Sequence, residues 1–406
     1  MKRFTTFYFL LFLVSSISAG EKIKVRYKKT APGTFAFFAD NPNPVTYWLK
    51  FEFTKLKNLR SNTKTPLQIV IPPNKKNVRL LTLKAINTSK SVSFRNSYFF
   101  DIGNPYSAKH DDSTTYLFPF PHGKKYMVSQ GYHGLFTHKG WQAYATDFQL
   151  PTGSLITAAR AGKVVQVVQH NTRGGNHESF AKYANRILIL HNDGTIANYF
   201  HLQKNGSLVK QGDEVIAGQK IGYSGNTGYS QGPHLHFHIS LPQFSSNPKT
   251  VAVLFLDHTK QRVEAKTGSY YYSMHPGKPE FPIDLGKNIK VTDYSSYRKE
   301  VFAKPEKVIM RNITKDNTIL FFIRNQFSKT CKIKVRFTNL KNTQLEILQK
   351  GTLLIPKNTE VFYGLARPKD ASKAWSPNYS YSYYLPISKS GSESSLEPGD
   401  TSKDGP

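Results

Sequence analysis

The chain has 406 residues, 38% of them apolar and 13% aromatic, which is material for two or three buried cores. Its 56 Lys and Arg outweigh 26 Asp and Glu, a balance that draws a protein to polyanions. A single cysteine, Cys331, excludes an internal disulfide framework, and the absence of long apolar stretches at helical spacing argues against a helical fold.

The start reads as an export signal over 1–20. Lys2 and Arg3 precede an unbroken apolar run from Phe7 to Val14, and small residues including Ala19 and Gly20 follow. The run is too short to span a bilayer, and no later segment reads as an integral membrane span. An exported protein, in the periplasm or outside the cell, meets cell-wall polymers, lipopolysaccharide and anionic membrane surface rather than nucleic acid. Anionic envelope polymers are partners such a charge allows; the Lys residues are spread along the whole chain, so a diffusely basic, well-solvated surface is the alternative.

Residues 21–115 and 301–386 contain two copies of one pattern. FFADNPNPVTYWLKFEFTKLKN begins at Phe37, and FFIRNQFSKTCKIKVRFTNLKN begins at Phe321. The two align without a gap from Phe37 on Phe321, and the register extends to Ile71, Pro72 and Asn74, which meet Ile355, Pro356 and Asn358. Apolar and polar residues alternate in each copy, as in half-buried strands, so each is expected to form a β-sandwich-like module. The modules carry no catalytic constellation and read as targeting, packing or autoinhibitory units; the first precedes the centre of the chain, a position from which it could cover that region in a latent form.

Between the modules, over 116–256, Gly, Pro and His become frequent. Strands are predicted at 143–148, 163–168, 186–191, 195–201 and 234–239, each bounded by turn signals, giving an antiparallel β domain. Residues 257–300 read as a connection that completes this domain. Residues 387–406 are rich in Ser, Gly and acidic side chains and read as a disordered tail. The fold class expected is all-β: a central antiparallel sheet flanked by two repeated β modules.

The chemistry sits in the centre. In the run from Gly232 to His238, alternation puts His234, His236 and His238 on one face of a strand and Leu235 and Phe237 on the other. Three imidazoles make a poor packing surface and a good metal or proton-transfer surface. Asp147 lies in a strand whose other face is Tyr144 and Phe148, with His138 and His133 upstream. Two His and one Asp satisfy a catalytic zinc, which keeps its fourth position for water. His201 closes the strand Tyr199-Phe200-His201-Leu202.

These motifs, in this order, resemble the lysostaphin and LytM type of zinc endopeptidases. The shared marks are the His then Asp pair, YFHL at Tyr199, GYSGNTGYSQGPHLHF from Gly222 and PTGSLITAARAGKVV from Pro151. The resemblance implies that His138, Asp147 and His236 hold one zinc ion. It implies that His201 and His234 are catalytic, one as general base toward the water and the other stabilising the oxyanion. It further implies a metallopeptidase that hydrolyses peptide cross-links of bacterial peptidoglycan. Tyr132 falls where some relatives contact substrate with a tyrosine. Two departures stand out. Eight residues separate His138 from Asp147, leaving His133 as an alternative ligand, and His238 replaces the usual Glu. We take His138 as the ligand and His238 as a supporting or surface residue. Two other readings remain: a non-enzymatic LytM-type activator of other wall hydrolases, and an exported protease acting on Gly-rich proteins.

Overall fold

A computed structural model describes residues 22–245, 247–302, 304–370 and 375–385. The expected export signal and C-terminal tail lie outside these residues. The regular secondary structure of the described residues is almost entirely strand, and their longest helical piece is the 3-10 turn Glu178–Tyr183. None of their helices is long and apolar enough to cross a membrane. The chain forms two compact units. One comprises the described residues up to Lys266 with Tyr271–Pro279; the other comprises Thr267–Tyr270 with those from Glu280 onward.

The first unit begins with a two-sheet module. Strands Lys24–Ala31, Thr34–Asn41, Lys75–Ala85 and Leu59–Ser61 make one sheet, and Leu67–Ile71, Tyr47–Lys57 and Ser93–Ile102 make the other. Alternation decides what lies between them. Tyr47, Leu49 and Phe51 are buried, and Phe51 meets Phe37 of the facing sheet at a ring separation of 5.5 Å. Asn41 is buried as well, and its Nδ2 donates to the carbonyls of Val45, Ile71 and Pro72, tying three chain segments together.

The central sheet runs in the order Glu214–Val215, Gly162–Val168, Arg186–Leu190, Ile196–Phe200, Leu235–Leu241, Thr146–Phe148 and Lys125–Gln130, with antiparallel neighbours. One face carries Ile187, Ile189, Tyr199, Leu235 and Phe237 into a core with Phe118, Phe148 and Phe255. The expected antiparallel pattern has two short exceptions: Thr115–Leu117 pairs parallel with Leu254–Leu256, and Gly174–Gly175 pairs parallel with Gly228–Tyr229. Residues past 256 also join this core, through Ala265 and Tyr271.

The opposite face is shared. Toward Ile196 it packs against the first module, and Val165, Leu188, Leu190 and Ile196 belong to that module's hydrophobic cluster. Trp48, on the outer face of the module's three-stranded sheet, is 1% exposed, with its ring 5.5 Å from Phe244. Asp101 is half-buried at this junction; desolvation raises its carboxyl above the usual range, and the Ile102 amide and the Arg186 charge partly offset that. The first module and the centre thus share a core, with no open linker at 115–116. The module stands beside the histidines and does not cover them.

The second unit repeats the module. In the alignment of the two copies, Val308–Lys315 and Thr318–Asn325 match Lys24–Ala31 and Thr34–Asn41 end for end. They join Thr343–Ile347, Thr359–Pro368 and Arg298–Glu300 in one sheet, while Thr352–Ile355, Cys331–Asn339 and Asn378–Tyr384 form the other. Asn325 repeats the role of Asn41, donating to Lys329, Ile355 and Pro356. Cys331 is buried in this core, as its lone occurrence suggests. Glu360 is buried too. Burial alone would raise its carboxyl, but hydrogen bonds from Arg311, Tyr297 and Arg324 lower it from 4.5 to about 2.

Two outcomes follow from this packing. Glu360→Gln leaves Arg311 and Arg324 without their counter-charge and costs about 3 kcal/mol. Because the folded carboxyl is held below its unfolded value, this stabilisation is complete above 4.5 and disappears as the pH falls toward about 2. Amide exchange in Thr318–Asn325 should accelerate in the variant at neutral pH, with a difference that shrinks through that window. Separately, a chain lacking 21–110 exposes Leu188, Leu190 and Ile196, so its thermal midpoint should fall. A gain of peptidase activity with no loss of stability would restore the latent-cover view.

Candidate metal centre

The strand Leu235–Leu241 organises the site. Its odd positions enter the core, which turns His236 and His238 to the other face. Register then supplies the neighbours: Asp147 sits directly across from His236 on one side and Phe200 on the other. His138 arrives from the loop over 131–145. Its Nδ1 donates to the Gly131 carbonyl at 2.8 Å, which fixes the ring.

Three donor atoms converge. His138 Nε2 lies 3.2 Å from Asp147 Oδ1, and His236 Nδ1 lies 2.9 Å from the same oxygen. One ligand atom from each of the three buried residues falls within 4.8 Å of the others, a group able to hold a metal ion. With its proton on Nδ1, a neutral His138 aims a lone pair at a carboxylate oxygen, and its buried Nε2 has no hydrogen-bond partner among the described residues. Two lone pairs facing each other in a buried site are unfavourable unless a cation lies between them. Tetrahedral zinc with bonds of about 2.0–2.2 Å holds neighbouring donors roughly 3.3–3.6 Å apart, so a small expansion of the observed spacings admits it. The donor set therefore fits zinc.

Burial raises the Asp147 carboxyl, but His138 and His236 outweigh it and hold the group well below its ordinary range. Burial lowers His236 and His238, and lowers His201 to about 3 with help from His234 and His236, so these rings rest neutral.

His201 and His234 stand beside the cluster, their ring centroids 4.6 Å apart. His201 follows its strand at φ 66°, a left-handed turn that takes its ring out of the strand alternation. Its Nδ1 donates to Thr227 O at 2.7 Å. His234 Nδ1 donates to Gly232 O at 2.8 Å and lies 3.1 Å from Ser230 Oγ. Both rings thus carry the proton on Nδ1 and keep Nε2 as an acceptor. His234 Nε2 is 3.8 Å from Asp147 Oδ1. All five residues singled out in the sequence are brought together. Asp147, His201, His234 and His236 line a cleft of about 630 Å³ whose walls include Phe136, Trp141, Phe200 and Tyr229, while His138 lies buried behind it. Every residue lining it falls between 127 and 236.

The alternatives resolve as well. His133 is exposed at φ 54°, its ring against Tyr144, and it is outside the cluster. Tyr132 does not face the cleft: its hydroxyl donates to Val253 O at 2.7 Å and accepts from Val253 N at 2.8 Å. His238 is buried, with Nδ1 3.1 Å from His236 Nε2 and its ring stacked on Phe200. When His236 carries its proton on Nε2, it donates to His238 and frees Nδ1 for the metal.

Gln130 was not foreseen. Its Nε2 donates to Asp147 Oδ2 at 2.9 Å and to Thr137 Oγ1 at 3.0 Å, while its Oε1 accepts from the Phe136 and Thr137 amides. It binds the ligand-bearing loop to the carboxylate. Gly134 is packed so closely on it that an added Cβ would lie 2.3 Å from Gln130 Cγ. Only its place at the end of a strand could have signalled this in the sequence.

Residues 142–248 match the model for Peptidase family M23. The chain is 33% identical over 220 residues to an uncharacterized metalloprotease of Buchnera aphidicola, covering 52% of this chain and 54% of that protein. It is 28% identical over 201 residues to the peptidoglycan DD-endopeptidase ShyA of Vibrio cholerae, covering 46% and 43%. The catalytic domain of the antimicrobial peptidase lysostaphin from Staphylococcus simulans is 34% identical, with 31% of this chain and 87% of that one covered and a TM-score of 0.23. The chain spans about half the length of these two curated relatives. It carries a Peptidase M23 domain.

Replacing Gln130 by Leu leaves Asp147 Oδ2 without its donor and releases the loop that bears His138. Metal affinity measured by chelator competition should fall by about 10–100-fold. His238→Leu should weaken metal binding by a similar factor, whereas His238→Asn, which keeps an acceptor near the position of Nδ1, should restore part of it.

Proposed function

We propose that the M23 domain is an active zinc endopeptidase that hydrolyses peptide cross-links of bacterial peptidoglycan. The observation that carries this reading is the convergence of His138, Asp147 and His236 on one point beside two histidines held in a single tautomer. A divalent zinc held there would lower the pKa of water toward about 7 and polarise a carbonyl.

The chain's own residues supply the rest. Thr227 O and Gly232 O hold the Nδ1 protons of His201 and His234, so each Nε2 meets the cleft as a base. A neutral ring in this tautomer has no proton to give at Nε2. The histidine that first takes a proton from water becomes the donor that can stabilise an oxyanion and then protonate the leaving amine. Phe200 and Trp141 shield the His236–His238 pair, keeping the charges in a poorly hydrated setting where they act strongly.

The substrate class rests on the relatives, of which the Vibrio cholerae protein is by name a peptidoglycan DD-endopeptidase. The basic start and apolar run over 1–20 support export to where peptidoglycan lies. A non-enzymatic activator is disfavoured because every ligand and both bases are retained.

The test separates metal from base. His138→Ala should lose zinc and activity together. His234→Ala should keep near-stoichiometric zinc while kcat falls by about 10²–10⁴. Mass analysis of fragments released from purified peptidoglycan reads the activity. A zinc-loaded native chain that releases no new peptide ends would overturn the proposal.

A further inference from the structure

The two modules share a strand framework but differ in chemistry on one surface, the outer face of the three-stranded sheet. In the first module this face carries Trp48, Lys50 and Glu52, with Asp101, Phe99 and Ser97 across from them. It is a docking face already in use, since Trp48 is 1% exposed and packs against Phe244 of the central domain. The residues aligned with Trp48, Lys50 and Glu52 in the second module are Lys332, Lys334 and Arg336. All three are exposed. Their partners across the sheet are Tyr384, Ser382 and Ser380 on one side and Leu354 and Thr352 on the other. None of these positions is acidic.

The row contrasts with its own module. Arg311 and Arg324 are paired with Glu360, and Lys315 with Asp284. Lys332, Lys334 and Arg336 take part in no ion pair among the described residues. Alternate strand positions stand about 6.7 Å apart, so the three cations form a straight, evenly spaced line. Short hydroxyl side chains border one side of that line. Large apolar groups, Leu354 and Tyr384, flank only its Lys332 end. A line of charge bordered by hydroxyls suits a linear anion better than a planar membrane, which favours a broad apolar and basic surface.

We propose that this face of the second module binds an anionic envelope polymer, a linear chain bearing phosphate or carboxylate groups. The choice of an envelope polymer rests on the export reading above. Copy one spends its face on the central domain, whereas copy two has exchanged Trp for Lys and Glu for Arg and presents the same surface to a polyanion. Binding does not involve the metal centre, so a chain inactive as a peptidase would still show it.

The test uses the full chain and linear poly(glycerol phosphate) as the probe. Lys332→Ser, Lys334→Ser and Arg336→Ser together should weaken binding by about tenfold or more and reduce its salt dependence. The matched triple Lys55→Ser, Lys57→Ser and Lys84→Ser, also exposed, should change it by less than about twofold. Thermal melts check that both variants remain folded. Equal losses in the two triples would mean diffuse attraction to a basic protein and would overturn the proposal. So would a triple that loses phosphatidylserine vesicles while keeping the polymer.

Discussion

A single carboxylate oxygen governs the centre of this protein. Asp147 Oδ1 lies within 3.2 Å of His138 Nε2 and 2.9 Å of His236 Nδ1. Gly131 takes the other nitrogen of His138, and His238 lies at the other nitrogen of His236. The lone pairs are thereby left to face one another. Such a group is strained without a cation and well satisfied with one, so the surroundings have to hold it open. Gln130, the loop over 131–145 and the three-strand register of Thr146–Phe148, Leu235–Leu241 and Ile196–Phe200 all serve that end.

The sheet can bear this cost because its two faces do different work. Leu235, Phe237 and Ile239 are buried on one side, and each such side chain contributes about 1.5–3 kcal/mol. That anchoring lets the other side hold polar groups that would not keep a strand in place alone. The polar side is itself divided. Its Ile196 end is closed by the first module, and its Phe200 end opens into the cleft. The module therefore bears on the site as a brace: it covers the apolar part of a face whose remaining part has to stay accessible.

Much of this was legible in the sequence because it depends on short-range rules. Alternation alone placed His236 opposite Leu235 and Phe237, and the gapless repeat anticipated that Thr34–Asn41 and Thr318–Asn325 would be equivalent strands. What was not legible depends on the path of loops and on contacts between distant segments. Eight residues separate His138 from Asp147, and nothing in them says that His138 turns inward while His133 stays in solvent. Tyr132 looked like a substrate contact until the backbone of Val253, 121 residues away, took its hydroxyl. Gln130 had no motif to mark it, since its value lies in reaching a carboxylate and two amides at once. His201 was placed by its motif, but the left-handed turn that aims it was not.

The repeated module shows how one scaffold carries two different outer faces. Asn41 and Asn325 make the same three hydrogen bonds to the same relative positions, so the internal frame is held by polar contacts with little freedom to change. Outer sheet positions carry no such constraint, because a side chain there can change from Trp to Lys without disturbing the frame. Divergence is therefore expected on that face. An indole at position 48 makes the face sticky toward a neighbouring domain, whereas an ammonium at position 332 keeps it solvated and repels any docking that would strip its water. The charge that prevents the second copy from packing as the first does is the same charge that suits it to an anionic chain, and this follows from desolvation alone: burying three unpaired cations against an apolar surface is prohibitive, while meeting a hydrated polyanion exchanges small counterions for fixed ones.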